Sequence, residues 1–208
     1  MLSISKLAYN YMGMVNLVYK DFELQQNEKM VIIGGSGSGK TTLLHLLGGM
    51  MQLQTGEIQL NGTSFTGLSG HQMDQFRANH IGLVFQKPHL IGSLNVLENL
   101  MISQMFSSGK QSSAKAKELL ETVDLAEKTN ARISELSQGQ AQRVALLRAV
   151  INEPDLILAD EPTSSLDDDN AHAVLDLLIE QADKNNSILL ITTHDQRVKE
   201  RISNQYLL

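Results

Sequence analysis

Apolar residues gather in short blocks whose spacing switches between two and three or four, and the switches divide the chain into strands and helices. Leu2, Ile4 and Leu7 alternate roughly with polar residues, and Leu17-Val18-Tyr19 and Phe22-Glu23-Leu24 do so again. Two short strands joined by a turn around Gly13 are predicted there. Met30-Val31-Ile32-Ile33, Ile81-Gly82-Leu83-Val84-Phe85, Leu156-Ile157-Leu158-Ala159 and Ile188-Leu189-Leu190-Ile191 are apolar runs of strand length, with Ile188 to Thr193 as the last central strand. Thr55 to Gly62 reads as a turn, an alternating strand and an Asn-Gly turn, and this strand is expected to pair with the N-terminal ones.

Helical spacing appears first in Leu43-Leu44-His45-Leu46-Leu47, closed by Gly48-Gly49, after which Met50 and Met51 are expected to fill gaps in the core. From Leu90 to Leu136 short helical patterns replace strands, broken in two at Ser107 to Ser113. In the second part, Ala114 to Leu125, Leu119, Leu120 and Val123 face inward with Lys115, Lys117, Glu118 and Glu121 outward. Leu136-Ser137-Gln138-Gly139-Gln140 opens a long helix with Val144, Leu147, Ala149 and Ile151 on its buried side, and Ser137 is placed to cap it. A further helix from about Asn170 to Lys184 buries Ala173, Val174, Leu177 and Leu178, with acids in its first turn to suit the dipole.

Composition narrows the function. The 208 residues suffice for one domain with room for a subdomain, and the net charge of -6 gives no general attraction to nucleic acid. With no cysteine there is no disulfide framework, thiolate zinc site or cysteine nucleophile. His45, His71, His80, His89 and His172 show no ligand-like spacing, so no zinc site is read. The N-terminus lacks a basic region followed by a long apolar run, and no apolar stretch has the length of a membrane span. A cytoplasmic chain is expected, with any membrane role exercised through a partner.

The stretch Gly34-Gly35-Ser36-Gly37-Ser38-Gly39-Lys40-Thr41-Thr42 fits G-x-x-x-x-G-K-[ST] between an apolar strand and an apolar helix, where a Gly/Ser linker has no reason to sit. It reads as a phosphate cradle: glycines let backbone amides turn inward, Lys40 reaches the β- and γ-phosphates, and Thr41 offers its hydroxyl to Mg²⁺. Asp160-Glu161 ends an apolar strand, and burying two carboxylates costs several kcal/mol unless cations or hydrogen bonds offset it. Mg²⁺ is the natural partner of Asp160, with Glu161 as general base for the attacking water. Gln86 ends another strand, either as a ligand of Mg²⁺ or the attacking water, or as a plain loop residue. His194 follows the last strand, either bonding the γ-phosphate and holding Glu161 and the water in register or serving structure alone. Ser137, Gly139 and Gln140 are either only a cap or also a second anion contact. Tyr9 and Tyr11 are exposed strand tyrosines or a stacking surface for a base.

Taken together and in this order, the residues resemble the ATP-binding cassette (ABC) ATPases. The matches are Gly34 to Thr42 for Walker A, Gln86 for the Q-loop, Leu136 to Gln140 for the signature, Leu156 to Glu161 for Walker B, Ser165-Leu166-Asp167 for the D-loop, and His194 for the switch histidine. Tyr11 lies where that family places its adenine-stacking aromatic. The resemblance implies an α/β fold with a P-loop NTPase (RecA-like) core, an N-terminal antiparallel β-subdomain and an inserted helical subdomain. Residues 1–86 and 137–208 would form the ATP-binding core with its β-subdomain, and 87–136 the helical part. It also implies ATP and Mg²⁺ as ligands and a head-to-tail homodimer around two ATP. In that dimer Ser137, Gly139 and Gln140 of one copy face the γ-phosphate held by Gly37, Lys40 and Thr41 of the other. A separate transmembrane permease would dock between Gln86 and the helical region and hold the chain at the inner face of the cell membrane.

Gln138 departs from the family's glycine, so its side chain has to point away from nucleotide or else crowd it. The chain stops at Tyr206-Leu207-Leu208, and regulation through a C-terminal domain is not expected. Leu43 to Gly49, Phe76 to Gln86 and Leu97-Glu98-Asn99 look most like the bacterial branch of lipoprotein-releasing and macrolide-exporting ATPases. A non-transport ATPase of the cell-division type is the alternative. A small-molecule kinase would leave Ser137 to Gln140 without a task.

Overall fold

In chain order, the computed structural model has β1 (Leu2–Tyr11), β2 (Val15–Val18), β3 (Phe22–Leu24), β4 (Lys29–Ile33), α1 (Lys40–Leu47), β5 (Thr55–Leu60) and β6 (Thr63–Ser64). Next come α2 (Gly70–His80), β7 (Ile81–Val84), α3 (Val96–Phe106), α4 (Ser113–Glu121) and α5 (Gln138–Val150). The chain closes with β8 (Leu156–Asp160), α6 (Asp168–Lys184), β9 (Ile188–Thr192), α7 (Gln196–Arg201) and β10 (Gln205–Leu207). The structure describes residues 1–11, 13, 15–107 and 111–208. The expected break at 107–113 therefore falls partly outside the described residues. Gly13 itself has φ +77°, as a turn requires, while residues 12 and 14 are outside the description.

One sheet is parallel throughout, in the order β10-β4-β9-β8-β7, with Ile32 beside Thr192 and Thr192 beside Asp160. Parallel strands place their carboxyl ends along one edge, so the segments leaving β4, β7, β8 and β9 emerge together. Apolar runs made these strands legible because both faces are covered. Val31, Ile157, Ala159, Leu189 and Ile191 pack with helices α3 to α6. Their neighbours Met30, Ile32, Leu156, Leu158, Ile188 and Leu190 pack with α1 and the second sheet. Alternation survives in space but not in polarity.

The second sheet is antiparallel, in the order β2-β1-β5-β6 with β3 also on β1, and it includes the expected pairing of the strand before Asn61-Gly62 with the N-terminus. Three N-terminal strands stand where two short ones were expected. Lys6 at φ +48° and a register shift between Ser5 and Ala8 bend β1, so Leu2 to Ile4 pair with β3 and Ala8 to Tyr11 with β2. Gly56, at φ +88°, lies against this bend, where a Cβ would come within 2.5 Å of the Lys6 carbonyl.

Other expectations need correction. Met50 is 37% exposed, because Gly49 at φ +60° turns the chain outward after α1; Met51 does pack on the core. The helix expected to reach Leu125 stops at Glu121, where Asp124 at φ +57° lets the Leu125 amide close on Leu120, and Val123 and Leu125 are buried all the same. The periodicity missed α2, which buries no residue and is set by the capping box of Ser69 and Gln72. It also missed α7 and the short edge strand β10. Among the described residues no helix is long and apolar enough to cross a membrane.

Candidate functional site at the carboxyl edge of the parallel sheet

The cradle is built by backbone. Gly37 at φ +76° and Gly39 at φ +99° carry the chain from β4 into α1 through turns that L side chains rarely make. No side chain caps the start of α1, which leaves its first amides open to an anion. A Cβ on Gly39 would collide with Leu17 and with the Tyr19 hydroxyl, which donates to the Gly39 carbonyl at 3.1 Å. Burial pushes the Tyr19 phenol well above its ordinary value, so this donor stays neutral. Gly34 leaves room for the Ser38 hydroxyl, which is buried without a hydrogen-bond partner. A buried hydroxyl without a partner calls for an acceptor, and a phosphate oxygen is one. Ser36, Gly35 and Gly37 are exposed on the rim.

Lys40, 9% exposed, donates to the carbonyls of Gly34 (2.9 Å) and Gly35 (3.0 Å) and lies 3.0 Å from His194 Nε2. An ammonium only donates, so Nε2 accepts and the imidazole proton sits on Nδ1 in this arrangement. The Thr41 hydroxyl donates to Asp160 Oδ2 (3.1 Å), while Asp160 Oδ1 accepts from Thr192 (2.5 Å). These are hard oxygens, the chemistry a small divalent cation such as Mg²⁺ takes. Thr42 shares a hydrogen bond with the Tyr11 hydroxyl (3.0 Å), and Tyr11 meets Tyr9 edge-on at 4.9 Å with an exposed ring.

Glu161 has φ +48°, a conformation costing about 1–2 kcal/mol for a side-chain-bearing residue. Its amide donates to the Thr192 carbonyl at 2.9 Å, which turns the carboxylate back over the end of β9. Oε2 accepts from the Thr193 hydroxyl (3.2 Å) and the His194 amide (3.3 Å), and Oε1 is 3.7 Å from His194 Nε2. Lys40, Thr41, Asp160, Glu161 and His194 thus form one connected group.

Gln86 follows β7, exposed, and shares none of the hydrogen bonds of that group. What fixes its loop is the signature helix. Gln142, buried, donates to the Phe85 carbonyl (3.0 Å), and Arg148 donates to those of Pro88 (3.0 Å) and His89 (2.8 Å). Burial lowers the pKa of the Arg148 guanidinium from its ordinary value. Neither residue was read from sequence; a glutamine on the buried side of an apolar helix was the available signal.

Ser137, Gly139 and Gln140 are not brought to the cradle within one copy. Ser137 and Gln140 close a capping box, amide to Oγ at 3.2 Å and amide to Oε1 at 2.9 Å, and Gln138 points to solvent. Gly139 is packed so closely on α6 that a Cβ would stand 2.2 Å from Asn170 Oδ1. Asp167 caps α6, and hydrogen bonds from the Asn170 amide and side chain hold its carboxyl below the usual range. A groove of about 530 Å³ opens between α2, β7, α3 and α5, lined among others by Asp74, Arg77, Phe85, Phe106 and Arg148. Met105 and Phe106, 65% and 70% exposed, end the helix that borders it.

Known proteins share both sequence and shape. A family model described as ABC transporter matches residues 19–164. The lipoprotein-releasing system ATP-binding protein LolD of Hydrogenovibrio crunogenus is 41% identical over 190 residues, 90% of this chain and 83% of that protein. Its namesake in Treponema denticola is 40% identical over 90% of this chain and 84% of its own. Among solved structures, a dimeric ATP-binding cassette, MJ0796, in a post-hydrolysis state bound to ADP and Pi superposes with a TM-score of 0.89 at 30% identity, covering 100% of this chain and 94% of that one. The cbiO1 protein of Clostridium perfringens, part of an ABC transporter complex, gives 0.85 at 25% identity over 99% and 83% of the two chains.

Proposed function

The chain belongs to the ABC transporter family, and from that premise we propose that it is the ATP-hydrolysing subunit of a transporter of the lipoprotein-releasing and macrolide-exporting branch. Two copies close head to tail around two ATP and drive a separate membrane subunit from the inner face of the cell membrane. The observation that carries this reading is the connected group of Lys40, Thr41, Asp160, Glu161 and His194 at the sheet edge. The names of the relatives support the choice of branch.

Amides and hydroxyls from Gly34 to Thr42 bind the phosphates, with the Ser38 hydroxyl supplied by its present lack of a partner. Lys40 exchanges neutral carbonyl acceptors for anionic phosphate oxygens, so that both partners of the contact are charged. Thr41 and Asp160 would hold Mg²⁺, with Gln86 reaching in from the loop after β7, and the cation would supply charge neutralisation at the phosphates. Glu161 takes a proton from the attacking water as the new O–P bond forms and the bond to the bridging oxygen breaks, leaving ADP and phosphate. Thr193 and the His194 amide fix the carboxylate for this task. Tyr11 offers its exposed ring to the adenine.

Ser137 Oγ accepts a hydrogen bond inside its own helix cap, so its proton remains available to a γ-phosphate of the second copy. Gly139, Gln140 and Asp167 line the same junction. Residues 87–136 act as the helical unit of the single domain, and the groove beside Phe85 and Phe106 receives the permease. Replacement of Glu161 by Gln is expected to slow ATP turnover by on the order of 10²–10⁴ while ATP binding persists. Unchanged turnover would refute the role of Glu161.

A further inference from the structure

Outside the group that touches nucleotide lies a second polar cluster that hydrolysis as described does not use. Arg197, on α7, clasps Asp195 through Nε (2.9 and 3.0 Å) and a terminal nitrogen (2.6 Å), and its other terminal nitrogen donates to Asp168 (2.5 Å). Asp195 also accepts from the hydroxyl of the buried Thr163 (2.7 Å) and from the Arg197 amide (3.0 Å). Three segments meet here. Thr163 stands two residues beyond Glu161, Asp168 follows the D-loop aspartate, and Asp195 follows the switch histidine.

The cluster is joined to the reacting group by a continuous path. The Asp195 amide donates to Thr193 Oγ1 at 2.9 Å, and the Thr193 hydroxyl in turn donates to Glu161 Oε2. An oxygen whose acceptor side is occupied has its proton directed elsewhere, here to the general base. The fork of Arg197 holds a carboxylate in one plane, which a point charge such as lysine does not do.

We propose that Arg197 is a positioning residue for ATP hydrolysis, fixing Glu161 through Asp195 and Thr193 and tying that path to the start of α6 beside the D-loop. This rests on the ATPase reading above. Arg197 bonds no residue of the phosphate cradle, so its effect belongs to kcat and not to nucleotide binding. Misplacement of a catalytic group by about 1 Å can cost on the order of 10²-fold in rate.

The test measures steady-state and single-turnover ATP hydrolysis, ATP affinity and melting temperature for wild type, Arg197→Met and Thr163→Val. Thr163→Val keeps the side-chain shape and removes only the donor to Asp195. Both variants are expected to lose about 10- to 100-fold in kcat with ATP affinity within about threefold of wild type. Combined with Glu161→Gln, Arg197→Met is expected to cost no more than about twofold further, because groups acting as one unit are not additive. A purely structural role would instead multiply the losses. Turnover within twofold of wild type in a folded Arg197→Met or Thr163→Val, or a multiplied loss in the double variant, overturns the proposal. A wild-type chain that binds but never hydrolyses ATP removes the ATPase reading instead, and this proposal with it.

Discussion

Lys40 is a nearly buried cation whose partners are two carbonyls and a neutral imidazole nitrogen; no carboxylate reaches it within hydrogen-bond distance among the described residues. Burying an ammonium costs several kcal/mol, and neutral acceptors return only part of it. The side chain is therefore held in a state that an incoming polyanion improves. Lys40→Met is expected to weaken ATP binding about 10- to 100-fold, the worth of one charge-assisted contact. The same change should leave the melting temperature of the nucleotide-free protein unchanged or raise it, since an uncompensated charge is removed. Calorimetric titration and thermal unfolding check the two halves separately. A variant that binds ATP normally would show that the ammonium does not meet the phosphates.

At the scale of elements, α5 and α6 meet through a position that tolerates no side chain. The side chain of Asn170, against which Gly139 packs, also donates to both carboxylate oxygens of Asp167, so it cannot swing away without giving up those two bonds, although the Asn170 amide still caps α6. Gly139→Ala is expected to cost about 1–3 kcal/mol by overpacking and to lower the melting temperature by several degrees. A melting temperature unchanged within a degree would mean that Asn170 yields freely. Elements with strong local signals were legible in the sequence: apolar strands, the glycine spacing of the cradle, the Ser137 cap, and the acids that open α6. Their strand-end order also placed Asp160, Glu161 and His194 near the cradle. What stayed hidden depends on contacts distant in sequence or on helices without a buried face. Helix α2 leaves no residue fully buried and rests only Met73 and Phe76 on the core, too sparse a stripe for periodicity to mark it. Gln142 acts on a carbonyl 57 residues away, and Thr193 on a carboxylate 32 residues away. The bend at Lys6 is a backbone event in a lysine, a residue that announces no such turn.

For the whole molecule, one parallel sheet brings the cradle, acids and histidine to a single edge, while the cap of α5 is spent on its own helix and reaches none of them within the copy. Helix α5, about 20 Å long at 1.5 Å per residue, carries Ser137 at one end and at the other Arg148, which holds the loop after Gln86 beside the groove. A membrane partner seated in that groove and a second copy facing Ser137 would thus pull on the same rigid rod. The central claim is that each ATP site is finished only by a second chain. Analytical ultracentrifugation of the Glu161→Gln variant with and without ATP tests it most directly: hydrolysis is blocked, so the closed pair should persist. Doubling of the mass with ATP but not with ADP, and loss of that doubling when Ser137→Arg is added, is the predicted result. A chain that stays monomeric at saturating ATP, or a dimer indifferent to Ser137→Arg, would contradict the account.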